Sequence, residues 1–117
     1  MYKTPKRLVN RVAALALSKK AESVTSIDLR GLSPACDFFV ICEGTSDVHV
    51  RAIGDAIVDG LRESGEKAWH VEGREGGHWV LLDYVNVVVH VFDTETRDYY
   101  QLERLWGDAK IEKYEDE

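Results

Sequence analysis

Apolar residues in the first twenty positions recur at Leu8, Val12, Leu15 and Ala16, a spacing that gathers them on one side of a helix. Lys6, Arg11 and Lys19 take the rest of the wheel. Thr4 can accept hydrogen bonds from the free amides of a helix start, and Pro5 is tolerated in a first turn, so an amphipathic helix is predicted from there to about residue 20. The period then changes. Thr25, Ile27 and Leu29 alternate with Ser26, Asp28 and Arg30, predicting a strand with one buried face that ends at the turn Gly31-Leu32-Ser33-Pro34. Residues 38–42 are an unbroken apolar run, which predicts a central strand covered on both sides. After Gly44-Thr45-Ser46-Asp47 the helical spacing returns at Val50, Ile53, Ile57, Val58 and Leu61, with Ser46 as N-cap and Gly65 as stop. Three short strands are predicted over residues 68–72, 79–84 and 87–92, the last two joined by Val85-Asn86 as a tight hairpin. Tyr99, Leu102, Leu105 and Trp106 then predict a helix over residues 95–106.

The predicted order is α-β-β-α-β-β-β-α: an α/β domain with a mixed five-stranded sheet and flanking helices. One domain is expected over residues 1–107, and residues 108–117 are expected to be a frayed acidic tail.

Charge narrows the partners. Lys and Arg number 15 against 21 Asp and Glu, a net charge of −6, which disfavours bare nucleic acid and suits a basic protein partner. The first twenty residues nevertheless carry six basic side chains and no acidic one, either a solvated helix face or a docking arm. Cys36 and Cys42 are too few for a disulfide scaffold. On one strand they would stand about 20 Å apart, far beyond disulfide reach, and are expected as buried thiols in a reducing compartment. Asn10 and Arg11 interrupt the only stretch resembling a signal peptide, and no run approaches a membrane span, so a cytoplasmic protein is expected.

The hairpin has two unlike faces. A two-residue Val85-Asn86 loop pairs Tyr84 with Val87, Leu82 with Val89 and Val80 with Val91, an apolar face for the helices. The other face holds Trp79, Leu81 and Asp83 beside Val88, His90 and Phe92. A solvated face rarely shows so many large apolar groups, and a core rarely strands a carboxylate and an imidazole. The mixture suits a protein-binding patch centred on an aromatic anchor; the alternative is that the C-terminal helix covers this face and Asp83 pairs with His90. A one-residue slip would exchange the faces.

Signals of catalysis are weak. Gly44-Thr45-Ser46-Asp47, between strand and helix, resembles a phosphate-binding loop and the Gly-Ser loop of nucleotidyltransferases, but helix capping explains it. The Asp-x-Asp pair that metal-dependent nucleotidyl transfer requires does not occur. His70, Glu72, His78 and His90 are the candidate metal ligands, without a recognisable ligand spacing. Nothing orders a base around Ser46, Cys36 or Cys42. No catalytic, cofactor-binding or metal residue is assigned.

Several segments together resemble the ribosomal silencing factor family, RsfS or Iojap-like. They are Asp28-Leu29-Arg30-Gly31-Leu32-Ser33, Asp37-Phe38-Phe39-Val40-Ile41-Cys42-Glu43-Gly44-Thr45-Ser46, His70-Val71-Glu72-Gly73, Trp79-Val80-Leu81-Leu82-Asp83-Tyr84, Val87-Val88-Val89-His90-Val91-Phe92 and Tyr100-Gln101-Leu102-Glu103-Arg104-Leu105-Trp106. The resemblance implies a nucleotidyltransferase-like fold without transferase activity, and a homodimer that binds the fourteenth protein of the large ribosomal subunit. By occupying that protein it would block joining of the small subunit and repress translation when nutrients are short. It implies no cofactor, no membrane and no sequence-specific nucleic acid. The contact surface it implies includes Trp79 and its strand neighbours, the face reached above, giving Trp79, Leu81, Asp83 and His90 as partner-binding residues. Where the family often has Gly-Asp, this chain has Val85-Asn86. The competing expectation is a nucleotide-binding or nucleotidyltransferase-type enzyme using residues 44–47.

Overall fold

The computed structural model describes residues 4–99, 104, 107 and 109–115. Helix α1 (Pro5–Ser18) starts where Thr4 Oγ1 accepts the Arg7 amide at 3.2 Å, and α2 (Asp47–Glu63) where Ser46 Oγ accepts the His49 amide at 3.1 Å. The capping residues predicted for both helices are therefore the ones used. The strands are β1 (Ser23–Asp28), β2 (Phe38–Gly44), β3 (His70–Glu72), β4 (Trp79–Asp83) and β5 (Val87–Asp93); a short helix α3 (Thr94–Tyr99) and a sixth strand β6 (Lys110–Tyr114) follow.

One mixed sheet runs in the order β3-β4-β5-β2-β1-β6, with β2 and β5 parallel and every other pair antiparallel. The α/β class with flanking helices holds, but the sheet has six strands rather than five. The added strand lies inside the stretch expected to be a frayed acidic tail: Ile111 pairs with Ile27, and Tyr114 with Val24. Lys6 fastens it to α1, its Nζ lying 3.0 Å from Glu112 Oε1 and 3.1 Å from the Tyr114 hydroxyl. β1 consequently has β6 on its outer side and cover on both faces. Its residues from Val24 to Ile27 are all buried, where alternation predicted burial on one face only.

Helices α1 and α2 pack on each other and on the same sheet face. Between them and the sheet lie Leu8, Val9, Val12, Ile53, Ile57 and Leu61 against Val40, Val80, Leu82, Val89 and Val91, all buried. Packing of apolar side chains from two helices onto a sheet face is the main stabilising contribution, roughly 1.5–3 kcal/mol for each large side chain fully buried. On the opposite face a smaller cluster gathers Ile27, Leu29, Cys36, Ile41 and Phe92. The cysteines, expected on one strand, are divided between the two clusters because β2 begins only at Phe38. Both are buried free thiols, and burial pushes that of Cys42 up to about 12. Of the helix predicted over residues 95–106, α3 accounts for the first part and packs on β5 and β2; Leu102, Leu105 and Trp106 lie outside the described residues.

Candidate functional site

The β4–β5 hairpin sets which side chains share a face. Its register pairs Val80 with Val91, Leu82 with Val89, Trp79 with Phe92, Leu81 with His90 and Asp83 with Val88, as the two-residue loop predicted. The turn itself has an unusual construction. Val85 sits at φ +74, the Asn86 amide donates to the Tyr84 carbonyl at 2.9 Å, and Tyr84 N–H donates to the Val87 carbonyl at 2.9 Å. A three-residue hydrogen-bonded turn with positive φ at its centre is a γ-turn of the rare, strained hand. Asp83 Oδ1 supports it by accepting the Val85 amide at 2.7 Å, and the Asn86 carbonyl accepts the amides of Asp37 and Phe38 at the start of β2.

Trp79, Leu81 and Asp83 therefore lie in a row along β4, each half-buried, on the face away from α1 and α2. β3 extends that face outward, since His70 pairs with Asp83 and Glu72 with Leu81; both are exposed, with His70 Nε2 2.7 Å from Glu72 Oε1. On the inner side stand Val88, His90 and Phe92 of β5, then Phe39 of β2. The face grades from a buried apolar floor at Ile41 and Phe92 to charged side chains at the β3 edge, with Trp79 at the boundary.

His90 is the residue whose place differs most from expectation. It is 5% exposed and cannot be a direct surface contact. Nor does it pair with Asp83, whose carboxylate holds the turn. The Trp79 indole N–H donates to His90 Nδ1 at 3.0 Å, so the neutral ring carries its proton on Nε2. The rings of Phe39, Trp79 and Phe92 lie 4.7, 5.9 and 6.1 Å from its centroid, and burial among them pushes its pKa down to about 4. His90 Nε2 is buried and finds no hydrogen-bond partner among the described residues. Sequence reasoning also missed that His70 and Glu72 belong to this face; the strand 70–72 carries no alternation strong enough to set its register.

The competing chemistry finds no assembled site. In the loop of residues 44–47 the Thr45 amide already donates to His49 Nδ1 at 2.9 Å and the His49 amide to Ser46 Oγ. Asp47 places a carboxylate at the helix start, bound to Arg51 at 2.9 Å, where a phosphate would need positive potential. The histidines proposed as metal ligands are apart, His70 beside Glu72 and His78 beside Asp93 at 2.6 Å, and the described residues hold no group of three or more His, Cys, Asp or Glu able to take a metal ion. Three concavities of about 530, 360 and 560 Å³ are lined by other residues than Trp79, Leu81, Asp83 and His90. A broad, gently graded face matches a macromolecular partner better than a small ligand.

The model of the RsfS family, described as the ribosomal silencing factor during starvation, matches residues 2–117. The chain belongs to the RsfS family. It is 42% identical to the ribosomal silencing factor RsfS of Bacillus subtilis over 91% of this chain and 90% of that one. A mouse protein named "Mitochondrial assembly of ribosomal large subunit protein 1" is 28% identical over 84% of this chain and 44% of its own length. Among solved structures, a crystal structure of a Chromobacterium violaceum protein superimposes with a TM-score of 0.86 at 30% identity, covering 92% of this chain and 89% of that one. The RsfS family is described by a silencing role and not by a catalysed reaction, and no helix among the described residues is long and apolar enough to cross a membrane.

Proposed function

We propose that this protein binds the large ribosomal subunit through the β3–β4 end of its open sheet face, contacts the fourteenth large-subunit protein there, and so excludes the small subunit. Translation falls by competition for a surface, without turnover or cofactor, when nutrients are short. Membership in a family of ribosomal silencing factors supports the ribosomal partner, and the name of the mouse relative favours the large subunit. The observation that carries the choice of face is Trp79, a half-buried aromatic set between an apolar floor and a charged edge, the arrangement typical of interface anchors. A net charge of −6 draws the molecule toward a basic ribosomal protein while Trp79 and Leu81 supply the desolvated centre. The working compartment is the cytoplasm and the working form a homodimer.

Co-sedimentation with purified subunits tests the face. Wild type is expected to pellet with the large subunit only, and Trp79→Ala and Leu81→Asp each to bind at least about tenfold more weakly while remaining folded. Wild-type binding by both variants would move the contact to another surface.

A further inference from the structure

Trp79 has one polar group, the indole N–H, and a partner-binding tryptophan commonly turns it outward to an acceptor on the partner. Here it points inward. Nδ1 of the almost fully buried His90 accepts it at 3.0 Å, and the indole ring lies 4.9 Å from Phe92 at an interplanar angle of 36°. Two neighbours on β5 thus fix the ring from opposite chemical sides, one through a hydrogen bond and one through ring contact. The His90 Nε2–H, buried and without a partner among the described residues, is a cost accepted by the fold. An apolar side chain at position 90 would avoid that cost, so the imidazole calls for a compensating role.

We propose that His90 is a positioning residue for Trp79: by holding the indole N–H inside the sheet it leaves the ring's apolar surface as what Trp79 offers, so the matching patch on the partner is an apolar side chain or pocket and not a hydrogen-bond acceptor. The proposal rests on the reading that the Trp79 face is the contact surface. It names the chemistry that surface recognises. His90 acts through Trp79 without touching the partner, and Asp83, engaged by its own turn, leaves recognition by charge to the exposed Glu72.

The test follows the indole N–H of Trp79 by ¹⁵N–¹H NMR, assigned from its disappearance in Trp79→Phe, together with co-sedimentation on large subunits. In His90→Leu, which removes the acceptor, the indole resonance is expected to move and its exchange with water to quicken, with about tenfold weaker binding. His90→Asn, whose Oδ1 takes the place of Nδ1, should keep both near wild type, and it serves also if His90→Leu does not fold. Trp79→Phe, which keeps an apolar ring but loses the bond to His90, should bind at least about threefold more tightly than Trp79→Ala. An unmoved indole resonance in folded His90→Leu, or a displaced one in folded His90→Asn, overturns the positioning role. Trp79→Phe no tighter than Trp79→Ala, or folded His90→Leu that binds like wild type with a moved indole resonance, overturns the apolar match. Either result leaves the contact face standing. Wild-type binding by Trp79→Ala removes the face itself, and the positioning role with it.

Discussion

Val85 occupies φ +74 although its β-branched side chain disfavours that region, and it is 58% exposed, so no packing rewards the conformation. Such strain costs about 1–3 kcal/mol. Val85→Gly relieves it at the expense of a more flexible unfolded chain, and a net gain of about 1 kcal/mol is expected, raising Tm by about 4 °C in a thermal melt; an unchanged or lower Tm would show that the turn is unstrained. His90 gives the fold a pH dependence of definite sign. Its pKa is depressed from 6.5 to about 4, so the stability it confers is complete above about pH 6.5 and is lost as pH falls toward 4, where the unfolded chain takes up the proton first. The loss amounts to about 3 kcal/mol at pH 4. His78 works oppositely: hydrogen bonding to Asp93 raises its pKa, so its contribution is present below pH 6.5 and fades as pH rises through the raised value. Denaturant unfolding between pH 7 and 4 should therefore fall less steeply for His90→Asn than for wild type, and parallel curves would refute the assignment. None of this was legible at the residue scale. The sequence placed His90 on the right face of the right strand, but only coordinates show a hydrogen bond aimed inward.

Among elements, β3 is three residues long and wholly exposed, and it depends on its connection to β4. Gly73 makes that connection at φ +78, and a Cβ there would lie 2.0 Å from the Trp79 carbonyl oxygen. Gly73→Ala must displace backbone, and a loss of about 3 kcal/mol is expected in denaturant melts, together with a disturbed Trp79 indole resonance; a loss below about 1 kcal/mol would mean the connection is not structurally demanding. The helices, the central strand β2 and the hairpin register could be read from periodicity because each buries a regular set of large apolar side chains. β6 could not. Lys110, Glu112 and Lys113 bury nothing, Ile111 is exposed, and the strand is defined by backbone pairing to β1 and by the Lys6 contacts to Glu112 and Tyr114. Charged residues on an edge strand also discourage pairing with other chains, which gives that composition a physical purpose.

At the scale of the molecule, two helices seal one face of the sheet, and among the described residues the other grades from core to surface across β5, β4 and β3. That asymmetry, together with an acidic balance and membership in the RsfS family, supports a basic protein of the large subunit as the proposed partner. Composition and the alternating hairpin point to a mixed apolar and polar face. The central claim is steric exclusion, and subunit joining followed by light scattering tests it most directly. Large subunits incubated with the protein before small subunits are added should join in reduced yield, dose-dependently, and should join normally when Trp79→Ala replaces wild type. Normal joining in the presence of saturating, large-subunit-bound protein would contradict the account.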